Sequence, residues 1–548
     1  MFKNLIRTVC VLLSGALLCL CTACSDSEES GAGFLFTCAL SGNPACLDPQ
    51  YSDDQNADIV ITNIMEGLVR LDENGVPQAA GAESYTISDD GLYYMFNLRE
   101  GCCWYKSGMS EDEVIPVTAQ DYVFAFRRMF EPETKSPYAK DFNCLKNANA
   151  IMAGSLGTSE LGVSAPDDTT VIFQLEYTNA EFLQLLAQPC AVPCNEEFFL
   201  STNGRYGLDI ETMLCNGPFY PTKWNYDVYG SDNFMNFRRS PVYYDAEQTA
   251  PSSLTFRILK SQGAADEYFA QDSADVIATP NYSAKYMDSK NYTVTSDYSH
   301  TMGLIFHPEN EILQNEDLRL ALAYAIDRSA YAPKLSTDLR PAYGIIPPAV
   351  NLLGSSYREM RADEPLALPY DPAKAAELFA KAEKELHLNS MNTIRILVSN
   401  NIKDTDALLT ICQEWQTLFG QYIGLETVTQ EEYEKRIASG DYSIALYSIG
   451  ADRNSCYNML QQFTAQQKML GFESEAFSGI MAELASAGKL SDTVELYAMA
   501  EQAVIDSNVF IPLFYKNSYL VCTAGNRDIG FDAFSGAVDF KYAKHFSE

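Results

Sequence analysis

Histidine is scarce in this chain, and none of the four copies is paired at the spacing of a metal site: His300, His307, His387 and His545. The motifs of common catalytic and nucleotide-binding sites are also missing, among them GxSxG, HExxH, GxxxxGK[ST] and GxGxxG. The sequence therefore predicts a protein that is not an enzyme and needs no metal or cofactor. A secreted acidic hydrolase stays as an alternative, because two catalytic carboxylates need not be adjacent in sequence.

Basic residues are few as well, with 38 Lys and Arg against 73 Asp and Glu, a formal charge of −35. Nucleic-acid binding requires a basic surface, so the composition excludes that class of partner. An acidic surface favours solubility and attracts cationic ligands. The 548 residues are too many for one core and predict two or three domains.

A long apolar run is missing from the chain, and only residues 9–20 form a short one. That run follows two basic residues, which is typical of a signal peptide, here residues 1–23. Thr22 and Ala23 then precede Cys24, which resembles the lipobox of a bacterial lipoprotein, although Cys21 stands where Leu is usual. Cys24 is thus the predicted lipidation site, and residues 24–33 form a flexible tether.

The predicted location follows from this N-terminus: the outer face of the cell membrane, or the periplasmic space if the host has an outer membrane. An ordinary secretory peptide with an incidental cysteine is the alternative. Beyond Cys24 there are eleven cysteines, an odd number without zinc-site spacing. We expect most of them to be small buried hydrophobic residues, although disulfides are an alternative in an exported protein.

Local patterns predict several elements in the first 400 residues. Asp89-Asp90-Gly91 lies between two alternating segments and indicates a β-hairpin. Thr118 and Asp121 have the spacing of a capping box at the start of a helix, and Asp371-Pro372 begins another. Ile61, Ile64, Met65 and Leu68 recur at helical spacing and predict a helix that includes all four.

The segment from residue 392 to residue 450 alternates strand, helix, strand, helix, strand, the pattern of a parallel α/β sheet. Such sheets bind ligands beyond the carboxyl ends of their strands. Asp452 follows the last of these strands directly. It has four candidate roles: to cap the next helix, to pair with a basic residue such as the adjacent Arg453, to catalyse, or to hold a cationic ligand. His307 ends another apolar segment and is predicted to be a strand-end residue satisfied by backbone groups, with a position that faces a cleft as the alternative.

Several segments, taken in order, resemble the bacterial extracellular solute-binding proteins of family 5, which serve peptide-type ABC transporters. The matching segments are "NPACLDPQYSDD", "NIMEGLVRLDENG", "AAGAESYTISDDGLYYMFNLREGCCW", "VTAQDYVFAFRRMFEPETKSPYA", "NGPFYPTKW", "LRLALAYAIDR", "GIIPP" and "YDPAKAAELF". They cover essentially the whole chain after the signal peptide. No single motif is decisive, but the ordered set is specific.

The resemblance implies an α/β, two-lobed, periplasmic-binding-protein-like (type II) fold with an extra subdomain in lobe I. Mapped onto this sequence, lobe I comprises residues 34–74, 195–295 and 513–548, its extra subdomain residues 75–194, and lobe II residues 296–512. The two crossing strands would be near residues 299–308 and 509–520.

The resemblance also implies the function: binding of extended peptides in the cleft between the lobes and delivery to an ABC permease and ATPase by a monomeric, lipid-anchored protein. In oligopeptide binders an Asp at the position of Asp452 pairs with the peptide α-ammonium. The backbone at Ser448 and Gly450 is the predicted edge for pairing with the peptide. Leu446 and Ile449 stand where some relatives have Arg and Trp. A non-peptide solute, such as a nickel chelate or a sugar, or a sensory role is the alternative.

Overall fold

The computed structural model describes residues 33–546 except 73, 111, 282, 362–365, 403–404 and 466. The predicted signal peptide, Cys24 and residues 25–32 of the predicted tether lie outside the described residues. Within the described part of the chain, no helix combines the length and the apolar character that crossing a membrane requires.

The strands are numbered in chain order. They are β1 Leu35–Leu40, β2 Val69–Leu71, β3 Pro77–Ala79, β4 Ala82–Ile87, β5 Tyr93–Leu98, β6 Cys103–Trp104, β7 Ile115–Pro116, β8 Val163–Ser164, β9 Thr170–Gln174, β10 Phe219–Asn225, β11 Phe234–Arg239, β12 Ser253–Ile258, β13 Val276–Thr279, β14 Tyr292–Phe306, β15 Leu339–Pro341, β16 Asn351–Leu352, β17 Ser355–Ser356, β18 Arg395–Ser399, β19 Gly424–Val428, β20 Ile444–Gly450, β21 Phe510–Thr523, β22 Asn526–Arg527, β23 Gly530–Phe531, β24 Val538–Asp539 and β25 Lys544–His545.

The α-helices are numbered in the same way. They are α1 Gln55–Ile64, α2 Ala119–Phe130, α3 Ala148–Met152, α4 Phe182–Leu186, α5 Glu196–Ser201, α6 Gln262–Ala270, α7 Ala284–Met287, α8 Glu316–Tyr324, α9 Arg328–Tyr331, α10 Tyr357–Met360, α11 Pro372–Leu386, α12 Thr405–Phe419, α13 Gln430–Ser439, α14 Cys456–Ala465, α15 Gln467–Leu470, α16 Glu475–Ala485 and α17 Val494–Ser507.

One large sheet runs through both lobes in the order β10-β11-β12-β1-β13-β21-β14-β20-β18-β19. Its middle is the antiparallel pair β14 and β21, which are 15 and 14 residues long. The segments predicted to cross between the lobes lie in these two strands. Strands β10 to β13 and β1 lie on one side of the pair, and β18 to β20 lie on the other.

The hydrophobic cores follow the same division. The main core of the first lobe includes Phe36, Phe256 and Phe540, and it extends into the separate sheet β4-β5-β9-β8 through Phe96 and Phe173. The second lobe contains two clusters, which lie on opposite faces of β18 and β20. The residue boundaries of the lobes and of the extra subdomain stay a prediction.

A buried ion pair ties the extra subdomain to the rest of the first lobe. Arg128, on α2, donates to both carboxylate oxygens of Asp48 at 2.6 and 2.7 Å, and its guanidinium lies 4.5 Å from the ring of Phe199. Asp48 is the Asp of the "LDP" segment, so this part of the family resemblance has a structural role.

The elements predicted from short-range signals are confirmed. The hairpin β4–β5 turns at Gly91, where φ is +70°, a backbone conformation that glycine adopts without a steric penalty. The Asp121 carboxylate accepts from the backbone N–H of Thr118 at 2.8 Å. The Asp371 carboxylate accepts from the N–H of Lys374 at 2.9 Å, with Pro372 at the first helical position of α11.

The helix predicted through Leu68 is wrong in its end point, because α1 ends at Ile64. Asn216 holds the backbone after the helix, since its side chain accepts from the Glu66 N–H at 3.0 Å and donates to the Glu66 carbonyl at 2.8 Å. Met65 and Leu68 are nevertheless buried in the same core. The helical spacing identified the buried side chains correctly, but the last two lie beyond the end of the helix.

The predicted parallel unit is confirmed, with β18 in the middle and parallel to both β19 and β20. Strand β20 also pairs antiparallel with β14, which connects the unit to the crossing strands. Asp452 therefore lies beyond the carboxyl end of β20, two residues after Gly450.

All eleven cysteines of the described chain are free, and nine of them are buried, as expected of small hydrophobic residues.

Candidate functional site

A cavity of about 2030 Å³ lies between the two lobes. It exceeds the ~300–1,000 Å³ of an ordinary small-molecule pocket. Asp58 and Arg70 line it from the first lobe, Asn351 and Asp452 from the second, and Asp297 from the crossing strand β14. We call this cavity the cleft.

Asp452 lines the cleft with an exposed side chain. Its backbone N–H donates to the side-chain oxygen of Asn458 at 2.8 Å. The next helix, α14, is capped by Ser455, whose hydroxyl oxygen accepts from the N–H of Asn458 at 2.9 Å. The interpretation of Asp452 as the helix cap is therefore wrong, and its carboxylate faces the cleft without that structural role.

Arg453 also lines the cleft, but it is only 7% exposed. Among the described residues it forms no ion pair with Asp452, and its Nε has no hydrogen-bond partner. Its charge acts on Asp141 of the other lobe, whose pKa is raised by burial and lowered in part by Arg453. Arg453 therefore does not neutralise its neighbour through a direct contact.

Gly450 and Ser448 lie on β20, opposite His300 and Met302 of β14. The carbonyl of Leu446 accepts from the Tyr433 hydroxyl at 2.7 Å, and that of Ser443 accepts from a backbone N–H beyond β14. Because strand backbone groups alternate in direction, those of Ser448 and Gly450 point away from β14, as the Leu446 carbonyl does.

The neighbouring strand on that side, β18, pairs with β20 only at Ile444 and Ala445 within the described residues. The edge at Ser448 and Gly450 is thus left without a neighbouring strand. Neither residue is among those that line the cleft. Their contact with a ligand stays a prediction.

Two histidines of the second lobe have different surroundings. His300 lines the cleft, and burial, together with the charge of Lys516, lowers its pKa to about 4. The ring packs against Gly450, where an added Cβ would lie 2.5 Å from the ring carbon Cδ2. His307 does not line the cleft. Its Nδ1 accepts from the backbone N–H of Glu309 at 3.3 Å, which confirms the predicted strand-end role.

The structure adds two carboxylates that the sequence did not single out, Asp58 on α1 and Asp141 after the loop that follows α2. Burial, together with the nearby carboxylates Asp54, Asp532 and Asp53, raises the pKa of Asp58 to about 7. Burial also raises the pKa of Asp141, and Asp452 contributes in the same direction. Asp141 and Asp452 therefore repel each other across the cleft.

A second set of charged residues lies at the cleft in lobe I, and we call it the paired cluster: Glu66, Arg70 and Asp539, which line the cleft, and Lys541, which pairs with Glu66 but does not line it. Arg70 contacts Glu66 at 3.2 Å and also pairs with Asp539, while Lys541 lies 3.5 Å from Glu66. Burial alone would raise the pKa of Glu66, but Arg70 and Lys541 lower it below its ordinary value. Each charge in this cluster has an opposite charge beside it.

Two side chains of the extra subdomain contact the second lobe next to the cleft. The Glu181 carboxylate accepts from the hydroxyls of Ser455 and Tyr497, the latter at 3.0 Å. The Thr178 hydroxyl donates to the carbonyl of Ser486 at 2.6 Å. These contacts hold the lobes together on the side where Asp452 lies. In the described chain, no three His, Cys, Asp or Glu side chains are grouped so that they could hold a metal ion.

Comparison with known proteins gives consistent matches. A dipeptide-binding protein of Lactococcus lactis subsp. cremoris is 24% identical over 97% of both chains. A probable deoxycholate-binding periplasmic protein of Escherichia coli is 24% identical over 86% of both. The solved structure of a Listeria monocytogenes OppA bound to peptide aligns with a TM-score of 0.70 at 23% identity, over 94% of this chain and 100% of that one.

The fold is therefore the predicted two-lobed, periplasmic-binding-protein-like (type II) α/β fold. Residues 76–470 match the family model described as bacterial extracellular solute-binding proteins, family 5 Middle. The match spans well over half of the chain and includes the "GADRN" segment with Asp452. The chain belongs to the bacterial extracellular solute-binding proteins of family 5.

Proposed function

We propose that this protein is the extracellular substrate-binding lipoprotein of an ABC importer, and that it binds extended peptides in the cleft and delivers them to the permease. The observation that carries the proposal is the position of Asp452, whose carboxylate lines the cleft with no helix to cap and no ion pair among the described residues. Relatives along nearly the whole chain are dipeptide- and oligopeptide-binding proteins by name.

Binding starts with the peptide in an extended conformation. It adds as a strand to unpaired backbone groups, such as the edge at Ser448 and Gly450, which makes binding indifferent to most side chains. Closure of the lobes about β14 and β21 then buries the ligand. Asp452 holds the α-ammonium group, because a buried ammonium is costly unless a carboxylate pairs with it. A hydrogen bond to such a charged group contributes about 1.5–3 kcal/mol.

Native mass spectrometry of the purified protein with a library of short peptides tests this function. We expect intact peptides to be bound. N-acetylation of such a peptide should lower its affinity about 10- to 100-fold, because the ammonium charge is lost. Asp452→Asn is expected to lower the affinity for the unacetylated peptide by a similar factor, and to lower the affinity for the acetylated peptide little further. Equal binding by both proteins would refute the anchor role, and recovery of cleaved peptides would favour a hydrolase.

A non-peptide solute is the second candidate function, and the deoxycholate-binding relative is the observation that favours it. The same mass-spectrometric experiment, with cell extract instead of peptides, separates the two. Binding of a bile-acid-like or other non-peptide molecule, together with failure to bind any library peptide, would favour this candidate.

The membrane anchor is proposed from Cys24 alone. Cys24→Ser is expected to release the protein from the membrane fraction into the medium or the periplasm, which immunoblotting of cell fractions would detect. Retention of the variant on the membrane would contradict lipidation at this residue.

A further inference from the structure

The two lobes also meet at a tight turn between β2 and β3, which is part of the first lobe. The Asp72 carboxylate accepts from the backbone N–H groups of Asn74 at 2.9 Å and of Val76 at 3.0 Å. The Asp72 carbonyl accepts from the N–H of Gly75 at 2.9 Å. Gly75 has a φ of +74°, a backbone conformation that glycine adopts without a steric penalty. These hydrogen bonds fix Gly75 at a point where it lines the cleft.

The second lobe approaches Gly75 closely through the side chain of Asn454. A Cβ added at Gly75 would lie 2.6 Å from the Asn454 Nδ2 and 3.9 Å from the Asn351 Cβ. Favourable contacts between non-bonded carbon atoms occur at about 3.5–4.0 Å, so the first distance is a steric clash. With the lobes in this arrangement, the position accepts no residue larger than glycine unless Asn454 is displaced.

Asn454 is held in place by a hydrogen bond of its own. Its Oδ1 accepts from the backbone N–H of Asn351 at 2.7 Å. The turn also makes a second contact with this part of lobe II, since a Cβ added at Gly354 would lie 3.4 Å from the Val76 Cγ2. A side chain at position 75 would therefore either separate the lobes at this point or displace the Asn454 amide and break its hydrogen bond.

This contact lies next to the proposed anchor for the ligand. Asn454 follows Asp452 by two residues. The hydroxyl of the next residue, Ser455, donates to the Glu181 carboxylate of the first lobe. The segment after the anchor thus contacts the first lobe at two successive residues. The position of the Asp452 carboxylate in the cleft therefore depends on how closely the lobes approach each other.

We propose, on the basis of the peptide-binding function above, that Gly75 and Asn454 form a latch that lets the lobes close around a ligand. The absence of a side chain at Gly75 makes room for the Asn454 amide in the closed protein, and the contact holds Asp452 in its binding position. Both are positioning residues, because they act through closure. A side chain at position 75 prevents full closure and weakens the binding of free and N-acetylated peptides alike.

Gly75→Ala tests the latch, with the short-peptide library of the mass-spectrometric experiment as the probe. Its affinity for the peptides that wild type retains should fall about three- to tenfold, the effect of one hydrogen bond. Free and N-acetylated peptides should lose the same factor, in contrast to Asp452→Asn. Small-angle scattering at saturating peptide should show that Gly75→Ala is more expanded than wild type, a change that lower stability alone would not cause.

Gly154→Ala is the matched control for backbone strain. Gly154 has a φ of +72°, and a Cβ added there would meet none of the described atoms within 4 Å. Its peptide affinity should stay within about twofold of wild type, and its compaction should be unchanged. Circular dichroism and thermal unfolding of each variant separate loss of closure from loss of folding.

A double-mutant cycle identifies the partner of Gly75. Asn454→Ala removes the clashing Nδ2, and the Asn351 Cβ, at 3.9 Å, is then the nearest described atom to an added Cβ. In the Asn454→Ala protein, Gly75→Ala should therefore change the peptide affinity by less than about twofold.

The possible results are distinguishable. Unchanged affinity and compaction in Gly75→Ala, or an equal loss in Gly154→Ala, would overturn the latch while the peptide-binding function stands. A full loss from Gly75→Ala in the Asn454→Ala protein would overturn the assignment of Asn454. If wild type retains no peptide of the library, the proposed function itself fails, and the latch with it.

Discussion

Two groups of charged residues lie at the cleft and differ in how their charges are balanced. One is the paired cluster, and the other comprises the cleft-lining carboxylates Asp58, Asp141 and Asp452, which we call the acidic end. In the paired cluster, Arg70 and Lys541 lie within 4.0 Å of Glu66. At the acidic end, Asp58 and Asp141 have no ion pair within that distance among the described residues. Burial raises the pKa of both, and the charges of Arg453 and Lys140 offset part of the rise at Asp141. The comparison teaches that proximity to the cleft does not define a binding residue. Charges balanced within the protein maintain the structure, whereas unbalanced charges are available to a ligand.

The largest effect is expected from breaking the paired cluster with Glu66→Gln. Arg70 and Lys541 then lose a buried partner, and the free energy of unfolding should fall by about 3 kcal/mol at pH 7. The pKa of Glu66 is lowered in the folded state from 4.5, so its contribution is present above pH 4.5 and is lost as the pH falls below that value.

Urea unfolding of wild type and of Glu66→Gln at several pH values measures this difference in the free energy of unfolding. The curves of wild type and Glu66→Gln should converge in acid, and Asp89→Asn should match wild type at every pH. If the loss of stability in Glu66→Gln is constant from pH 7 to below pH 4, the charge of Glu66 is not its cause.

A smaller effect is expected at Glu181, a carboxylate that joins the lobes through hydrogen bonds to two hydroxyl groups. Glu181→Ala removes the acceptor of Ser455 and Tyr497, contacts that form only when the lobes are together. Hydrogen bonds to a charged group contribute about 1.5–3 kcal/mol, so ligand affinity should fall about 10- to 100-fold.

Small-angle scattering should show that Glu181→Ala stays more expanded than wild type at saturating ligand. Glu377→Ala, an exposed substitution on α11, is the control. Unchanged affinity and unchanged compaction would mean that the Glu181 contacts do not contribute to closure.

Asp58→Asn should change the free energy of unfolding in the opposite direction to Glu66→Gln. Because the pKa of Asp58 is raised from 3.8 to about 7 on folding, ionisation destabilises the folded protein, and stability falls as the pH rises through this window. The two pKa values correspond to at most about 4 kcal/mol, and solvent in the open cleft reduces this to on the order of 1–2 kcal/mol. The charged neighbours are Asp53, Asp54 and Asp532.

Denaturant unfolding should therefore find Asp58→Asn more stable than ligand-free wild type at pH 8 and equal to it below pH 4. Destabilisation at pH 8 would place Asp58 among the balanced charges. This result would remove the distinction between the two groups.

No effect on binding is expected from His307→Gln, because this ring lies outside the cleft. Peptide affinity measured by calorimetry should stay within about twofold of wild type, below the effect of one weak hydrogen bond. A larger change would mean that the cleft extends further than its described lining.

The sequence predicts the parts of the molecule that depend on near neighbours. The caps at Thr118 and Asp371 and the parallel unit around β18 follow from local spacing. The proximity of Asp141 to Asp452 does not, because the two residues are more than 300 positions apart and lie in different lobes. The burial of Arg453 could not be predicted either. Its position directly after Asp452 indicates that the two residues are neighbours, but not that the Arg453 side chain is buried.

The large sheet also determines the order in which a growing chain can complete its parts. The cores of the second lobe end with Phe514, whereas the first core begins at Phe36 and needs Leu520, Val538 and Phe540. Strand β13 pairs with β21 only through residues 519–522. The lobe whose synthesis starts first is therefore finished last, and until then its sheet keeps an open edge that can pair with other chains.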